Sequence, residues 1–394
     1  DSQKFWVTSL LDGTSVDPLD FASAEGYPDN VIALIVDHRE IFLFGTTSVE
    51  VWYDAGTPDF PLARIQGAFM EVGCAAAYSV AKLDNSVFWL SSDARGRGIV
   101  YRANGYTPAR ISTNAVEYAI QSYGNISDAV AYTYQQDGHP FYVLIFPSAQ
   151  ATWVYDVSTQ LWHERAGFEN GQFTRHRSNC QMSFNDEIVV GDYEDGRLYA
   201  FDLDVYADDD QIQKWLRSWR ALATGQNNLK RTAHHSLQLD AETGVGLNAY
   251  PAYDGEDLAT ESGDIIVAEF VQGYLTTQAS DQLVTEAGDG NEPLVTQVQP
   301  AEDYNGYALE TEAYTASPGY DPQVMLRWSD DAGHTWSNEH WNSMGKLGAY
   351  GTRTIWRRLG MTEKIRDRVY EVSGTDPVKI AIMGAELFVT PTSS

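Results

Sequence analysis

Short strands with apolar side chains dominate the first half of the chain. β-Branched and aromatic residues fill 49–53 and 152–156 with partial polar alternation, which is the pattern of half-buried strands. Residues 141–146 are apolar throughout and follow the turn dipeptide Asp137-Gly138, so they predict an inner strand buried on both faces. This half of the chain shows no convincing helical period, and we expect helix to be scarce.

The strands recur in a cassette that appears four times. Each cassette has an Asp turn, a strand, a loop and a strand that ends at a Tyr. The successive steps are 47, 53 and 49 residues for the turns and 48, 54 and 44 residues for the tyrosines. The turn residues are Asp37, Asp84, Asp137 and Asp186, and the tyrosines are Tyr53, Tyr101, Tyr155 and Tyr199. A repeat of roughly 40–50 residues made of short strands is typical of propeller blades.

The repeat also bears on the number of blades. Four cassettes are near the minimum for a closed propeller, because each blade buries its faces by stacking on its neighbours. The chain begins at Asp1 without a Met. The pattern therefore allows for further blades on the N-terminal side.

The cassettes end near Phe201, and the pattern changes after an acidic connector. Strands are predicted at 214–220, 236–240, 324–328, 353–359, 369–372 and 378–389, and their spacing suits a sandwich. We therefore predict an all-β chain with three parts. Propeller blades occupy 1–208, a β-sandwich occupies 209–250 and 321–394, and an acidic, hairpin-rich insertion occupies 251–320.

Charge is large and uneven. The chain has 55 acidic and 26 basic residues, a net charge of −29, which disfavours a grip on a phosphate backbone. Residues 251–320 hold fourteen acids and no Lys or Arg, in a Leu-x-Thr-Glu repeat with Gly-Asp turns. This insertion is either a set of stacked hairpins or a flexible segment that orders against a partner.

One motif of known geometry lies in the predicted sandwich. Residues 329–336 fit S-x-D-x-G-x-T-W, the Asp box of sialidases and related repeat proteins. Its members are Ser329, Asp331, Gly333, Thr335 and Trp336. Ser and Asp side chains bond backbone groups across such a turn, Gly supplies the positive φ, and Trp packs beneath it. We interpret the motif as structural, with Asp331 not catalytic.

A sialidase needs further groups that the sequence does not bring together. It requires an arginine cluster for the substrate carboxylate, a Tyr nucleophile with a Glu, and usually several Asp boxes. The propeller does contain candidate arginines, namely Arg39, Arg95, Arg97 and Arg175. Because the one Asp box lies outside the cassettes, we predict no catalytic residue and no cofactor.

Metal sites and disulfides are disfavoured on similar grounds. Neighbours such as His234 and His235 point to opposite faces of a strand, so they do not readily share an ion. The acidic connector (Asp202, Asp204 and 208–210) lacks the Gly and terminal Glu of a calcium loop. The two cysteines are too few for a disulfide framework, and no apolar run is long enough to span a bilayer.

Basic residues cluster late in the acidic chain. The candidates for contact with an acidic partner are Arg353, Arg357, Arg358, Arg366 and Arg368. Such contacts set orientation and association rate more than affinity. The alternative is that these arginines brace strands inside the sandwich.

The order of several segments resembles the hub, or nozzle, proteins of short-tailed bacteriophages, also called packaged-DNA stabilisation proteins. The matching segments are 5–10, 42–52, 154–156, 190–192, 196–202, 326–333, 369–372 and 377–378. The resemblance covers most of the chain except the acidic insertion. It implies a virion tail component, assembled in the host cytoplasm, and it carries no catalytic residues.

The resemblance also implies partners. The family forms a homohexameric ring below the portal and its adaptor, which closes the DNA exit channel until infection. A tailspike or tail needle is a further expected partner, and double-stranded DNA passes without sequence-specific binding or membrane insertion by this chain. The alternatives are a sialidase-like enzyme and a propeller that binds host surface sugars.

Overall fold

A computed structural model describes residues 2–9, 11–24, 26–27, 29–57, 60–93, 96–208, 211–220, 231–247, 319–362 and 368–392. It also describes two short strands, β21 (Leu258–Ala259) and β22 (Ile265–Ile266), which pair with each other. The protein is 58% strand and 4% helix, which confirms the all-β prediction. It divides into two compact units, Asp1–Leu203 and Asp204–Ser394.

The first unit consists of antiparallel sheets in which each strand pairs with the next one along the chain. A hairpin comes first, β1 (Lys4–Ser9) and β2 (Asp12–Ser23). Sheet I has β3 (Val31–Asp37), β4 (Glu40–Gly45), β5 (Val49–Asp54) and β6 (Leu62–Met70). Sheet II follows a short 3₁₀ helix (Ala77–Ser79) and has β7 (Ala81–Leu83), β8 (Ser86–Asp93), β9 (Gly96–Asn104) and β10 (Thr107–Arg110).

Two more sheets complete this unit. Sheet III has β11 (Val130–Gln136), β12 (His139–Phe146), β13 (Ala151–Asp156), β14 (Leu161–Glu169) and β15 (Gln172–Arg175). Sheet IV has β16 (Ser178–Phe184), β17 (Glu187–Asp192) and β18 (Leu198–Ala200). This meander order, repeated from sheet to sheet, is that of propeller blades.

The four sheets share a hairpin between their first two strands. Both turn residues have positive φ in every case, at 38–39, 84–85, 137–138 and 185–186. This is the backbone of a type I′ turn, which matches the twist of the flanking strands and favours Asn, Asp and Gly. The predicted turns at Asp84, Asp137 and Asp186 lie in these hairpins. Asp37, however, is the last residue of β3, and the turn itself is His38-Arg39.

The repeated tyrosine occupies the same register position in three of the four sheets. Tyr101, Tyr155 and Tyr199 each lie on the third strand, opposite the fourth residue after the turn. In sheet I that register position belongs to Glu50, which pairs with Leu43. The predicted repeat at Tyr53 is therefore displaced by three residues.

Glu50 is accommodated at that buried position because its carboxylate is satisfied. The side chain is 3% exposed, and it accepts hydrogen bonds from the backbone N–H of Gly26 and from Trp52 Nε1, the latter at 3.1 Å. Buried carboxylates need such donors. The sequence pattern did not predict Glu50 at the position that Tyr occupies in the other sheets, because a Glu in a strand normally indicates an exposed face.

Each sheet packs one face on the next sheet. Phe44 and Val51 of sheet I meet Trp89 of sheet II in the first cluster. The second cluster, between sheets II and III, includes Phe88, Leu90, Tyr142 and Phe146. The third joins sheet III to sheet IV through Val143, Val154 and Ile188. The outer face of sheet IV carries Met182, Phe184 and Leu198, which are 56%, 65% and 71% exposed.

One helix was not predicted. α1 (Asn114–Gln121) follows β10, and Thr113 caps it by accepting a hydrogen bond from the backbone N–H of Val116. Its buried face is short, with Val116 and Ile120 one turn apart. Two turns of helix with one i, i+4 apolar pair give too little periodicity to detect.

The second unit contains two sheets around one core. Sheet V has the order β19 (Trp215–Arg220), β26 (Val369–Gly374), β23 (Gln323–Ser329) and β24 (His340–Ser343). Sheet VI has the order β25 (Ile355–Met361), β20 (Thr232–Ala241) and β27 (Ile382–Pro391). Their shared cluster includes Leu237, Leu326, Trp356, Tyr370 and Val372. Strands from both sides of the insertion thus pair with one another.

The strand predictions for this unit hold, with small shifts at the ends. The strand predicted at 214–220 is β19 (Trp215–Arg220). Apart from β21 and β22, the predicted insertion at 251–320 lies outside the described residues up to residue 318. Cys74 and Cys180 are free thiols, the first buried and the second exposed.

The type I′ turns give a stability prediction. Asn85 has a φ of 51°, which β-branched residues adopt at a cost of about 1–2 kcal/mol. Asn85→Val should therefore lower the free energy of unfolding by about that amount, measured by urea denaturation. Asn85→Gly is the matched control and should leave stability nearly unchanged; an equal loss in both variants would contradict the turn assignment.

Candidate functional sites in the two units

The Asp-box segment forms a turn closed by its own side chains. Ser329 Oγ accepts a hydrogen bond from the Gly333 N–H at 2.8 Å and donates one to Asp331 Oδ1 at 2.6 Å. Asp331 also accepts from the N–H and the hydroxyl of Thr335, at 2.8 and 2.7 Å. Gly333 has a φ of 98°, which a side chain would resist.

These contacts determine what Asp331 can do chemically. Its hydrogen bonds to Ser329 and Thr335 lower the pKa of the carboxyl well below its usual range. Both carboxylate oxygens accept bonds within the turn, so the group is held as an anion by local donors. The neighbouring Trp336 ring lies under the Arg327 guanidinium, 4.7 Å from its centroid. This geometry supports the predicted structural role.

Arg368 is a buried brace beside this turn. It is 2% exposed, and its Nε and Nη2 donate to the two carboxylate oxygens of Asp330, both at 2.7 Å. A third bond runs from Nη1 to the Leu359 carbonyl at 2.7 Å. Breaking such a buried pair costs about 3–5 kcal/mol. Of the two roles open to Arg368, the structure therefore favours bracing over partner contact.

The other arginines of the predicted contact set differ from Arg368 in their exposure. Arg353 is exposed and donates to Gln238 Oε1, while Arg357 and Arg358 are exposed on β25. Arg366 lies outside the described residues. Of the five arginines predicted to contact a partner, Arg353, Arg357 and Arg358 are therefore exposed at described positions.

The two adjacent histidines do not form a metal site. His234 is 4% exposed and bonds Tyr370 OH through Nδ1 at 2.6 Å and Thr232 Oγ1 through Nε2 at 2.9 Å. His235 is exposed and contacts Thr390 Oγ1 at 2.8 Å. Across the described residues, no group of three His, Cys, Asp or Glu side chains could hold a metal ion.

The propeller arginines do not present a carboxylate-binding cluster in the part of the chain that is described. Arg39 lies in the β3–β4 turn. Arg175 is 5% exposed, stacks 3.7 Å from the Tyr193 ring centroid and donates to Asn179 Oδ1. Arg95 lies outside the described residues. A buried guanidinium that is already engaged is a poor ligand for an incoming sugar carboxylate.

No helix in the described residues has the length and apolar character to cross a membrane. Among the described residues, the α-helix α1 has eight residues.

Removal of the Asp331 carboxylate should loosen the turn. Asp331→Ala takes away the acceptor for three hydrogen bonds, so we expect a lower melting temperature, with a smaller decrease for Asp331→Asn. His334→Ala changes an exposed residue of the same turn and is the control. Equal melting temperatures for Asp331→Ala and the control would contradict the structural role.

His234 should make stability depend on pH. Burial, reinforced by the Arg368 charge, lowers its pKa to about 4, whereas an unfolded His titrates near 6.5. The unfolded state therefore binds more protons between these values, and stability falls as pH decreases from about 6.5 towards 4, by up to about 1.4 kcal/mol per pH unit.

The measurement is the unfolding free energy of the wild type and His234→Gln from pH 4 to 8. The difference between the curves should vary below pH 6.5 and stay constant above it. Burial also lowers the pKa of His176 to about 3, so the variant keeps part of the slope. His235→Gln is the control, and a constant difference over the whole range for His234→Gln would refute the assignment.

Two solved structures show a weak likeness to this chain. One is the crystal structure of an exo-β-1,3-galactanase from Phanerochaete chrysosporium, with 10% identity, a TM-score of 0.24, and coverage of 95% of this chain and 71% of that one. Another is a glycoside hydrolase, with 7% identity, a TM-score of 0.17, and coverage of 92% and 85%. No curated protein matches the chain. These scores are too low to support a shared fold.

Family models give a specific result for both units. The model described as bacteriophage P22 Gp10, beta-propeller, matches residues 1–206. The model described as bacteriophage P22 Gp10, beta-sandwich, matches residues 294–390. The predicted propeller followed by a sandwich is thereby confirmed, as is the resemblance to tail hub proteins. The chain belongs to the bacteriophage P22 Gp10 family of structural proteins of the phage tail.

Proposed function

We propose that this protein is the hub, or nozzle, of a short-tailed phage, forming a ring below the portal and its adaptor. The ring closes the DNA exit channel to retain packaged DNA and guides the DNA out during ejection. The observation that carries this proposal is the match of two P22 Gp10 models, in propeller-then-sandwich order, to one chain. The expected state is a homohexamer assembled in the host cytoplasm.

The charge of the protein suits a channel through which DNA slides. With a net charge of −29, a ring of copies repels phosphate and offers few counterion-releasing contacts. Since the Debye length is about 8 Å at physiological salt, this repulsion acts only close to the wall. Retention must then come from a physical constriction rather than from binding.

A structural role also fits the contacts of two residues considered above for glycan chemistry. The Asp331 carboxylate is engaged within its own turn, and the Arg175 guanidinium is buried against Tyr193. Neither is free to act on a glycan. The partners expected from the family are proteins, namely the portal-adaptor ring and a tailspike or tail needle.

The competing function is a sialidase-like or glycan-binding propeller acting on host carbohydrate. The Asp box is the observation that favours it, but this turn lies in the sandwich unit between β23 and β24. Hydrolysis assays on sialylated and capsular glycans, together with binding to a glycan array, test this alternative. Glycan hydrolysis or glycan binding at micromolar protein concentration would contradict the hub proposal and support this alternative.

The proposed function predicts a defined defect in particles made without this protein. Such particles should package DNA but lose it on warming, because the exit channel is no longer closed. The measurement is the nuclease-resistant DNA per particle before and after warming, with and without added protein. DNA retention that is independent of the protein would contradict the proposal.

Assembly is tested separately by size and location. Mass photometry should show a species of six chains, about 263 kDa from six times 43.8 kDa. Electron microscopy of virions with a tagged protein should place the tag at the tail. A monomer at all concentrations, or a tag on the capsid surface, would rule out the ring.

The acidic insertion gives a further prediction from sequence. Replacing residues 254–312 by a short Gly/Ser bridge removes fourteen acids, and we expect a soluble, cooperatively folding protein because long excursions add little loop-closure cost. The deletion should instead impair attachment of the next tail component or DNA delivery. A control that keeps the length but changes every Asp and Glu there to Asn and Gln separates charge from chain length. Loss of folding would show that the segment belongs to the core.

A further inference from the structure

The outer face of sheet VI combines cations with exposed apolar side chains. Arg357 on β25 and Phe388 on β27 both pair with Ser236 of the central strand, so they flank it on the same face. Phe388 is 62% exposed and its ring lies 5.1 Å from that of His235. Met361, which is 45% exposed, lies at one end of the same face, opposite Ala233.

A β-bulge brings a second arginine to the surface of this sheet. His234 pairs with Gly360 and Ser236 pairs with Arg357, so two residues of β25 stand opposite His235. Regular alternation after buried Trp356 would turn residue 358 inward. The bulge instead leaves both Arg357 and Arg358 exposed and returns Leu359 to the core.

The bulge places Arg358 in an unfavourable backbone conformation. Arg358 has a φ of 62°, a left-handed conformation that costs a residue with a side chain about 1–2 kcal/mol and that Gly would adopt freely. Bulges of this kind are frequent where a strand edge re-aims a side chain for function. The structure therefore holds an exposed cation at a backbone conformation that Gly would adopt at lower cost.

Charge complementarity identifies the kind of partner. Arg353, Arg357 and Arg358 lie within six residues of a chain that has only 26 basic residues, and Arg357 and Arg358 have no ion pair with another described residue. Arginine and exposed aromatic residues are the types enriched at the energetic centres of protein interfaces. Phosphate-backbone binding is disfavoured by the acidity of the chain.

We propose that the outer face of sheet VI, centred on Arg357, Arg358 and Phe388, docks an acidic surface of a different virion protein. This rests on the proposed function, because it takes the tail as the setting. The arginines steer the approach of the partner and fix its orientation, while Phe388 supplies the desolvated contact. Arg368 takes no part, since its guanidinium is buried against Asp330.

A simpler role for the arginines is protection of a sheet edge. β25 is an edge strand, and charged residues on such strands prevent pairing with other chains. Charge of either sign serves that purpose. Reversal of the charge therefore separates the two roles, because edge protection survives it and docking on an acidic surface does not.

The test uses DNA-filled particles of the same phage assembled without this protein. Purified wild type and the Arg357→Glu/Arg358→Glu variant are mixed with these particles, and bound protein is measured after sedimentation at low and high salt. We expect roughly tenfold weaker binding of the variant at low salt and a smaller difference at high salt. Phe388→Ala should weaken binding at both salt concentrations.

Two further double variants test whether the loss of binding comes from the arginine charges at this face. Arg357→Ser/Arg358→Gly removes both cations and relieves the positive φ, so it folds at least as well as the wild type and should also bind weakly. Arg217→Glu/Lys379→Glu makes the same change in net charge at two other exposed positions of the second unit and should bind normally. Circular dichroism and melting temperature confirm folding of all variants.

Each outcome decides the proposal. Weak binding of both Arg357/Arg358 variants with normal binding of the control supports it, and equal binding of all variants overturns it. Loss of ring formation by the Arg357/Arg358 variants assigns the face to a second copy of this chain and also overturns it. Failure of the wild type itself to bind particles overturns the proposed function and this inference with it.

Discussion

Burial of the two faces of each sheet is the constraint on which the first unit depends. A sheet of three to five short strands cannot cover its own faces, so it depends on neighbouring sheets for their burial. Sheets I to IV pack on one another in series, through clusters centred on Trp89, on Phe88 with Tyr142, and on Val143 with Val154, and the outer face of sheet IV at the end of this series keeps large apolar side chains exposed. The type I′ hairpins set the register that brings these side chains to the shared faces.

The second unit depends more on buried polar groups. Arg368 bonds Asp330 and the Leu359 carbonyl, and the Tyr370 hydroxyl meets His234 across from sheet V to sheet VI. These bonds satisfy charged groups and hydroxyls in the core. Without a partner, each buried group would destabilise the fold strongly. The Arg368–Asp330 pair also ties the Asp-box turn to β26 and, through the Leu359 carbonyl, to β25.

The structural role of a phage-tail protein directs attention to its surfaces. The chain carries a net charge of −29, while the outer face of sheet VI places Arg357 and Arg358 near exposed Phe388 and Met361. For the proposed hub, this separation would keep passing DNA off the wall through like charge, while the local opposite charge would orient a protein partner.

The sequence by itself determined the repeat, the turns, the strands on both sides of the insertion and the Asp-box motif, because each is encoded in residues close together in the chain. It did not determine burial. Glu50 in place of a repeated tyrosine, the two-turn helix at Asn114–Gln121, and the division of the late arginines into buried Arg368 and exposed Arg357 and Arg358 were decided by tertiary structure. The physical reason is that the state of a charged side chain depends on partners distant in sequence. A satisfied Glu or Arg lies in the core, whereas the same residue without a partner must remain in water.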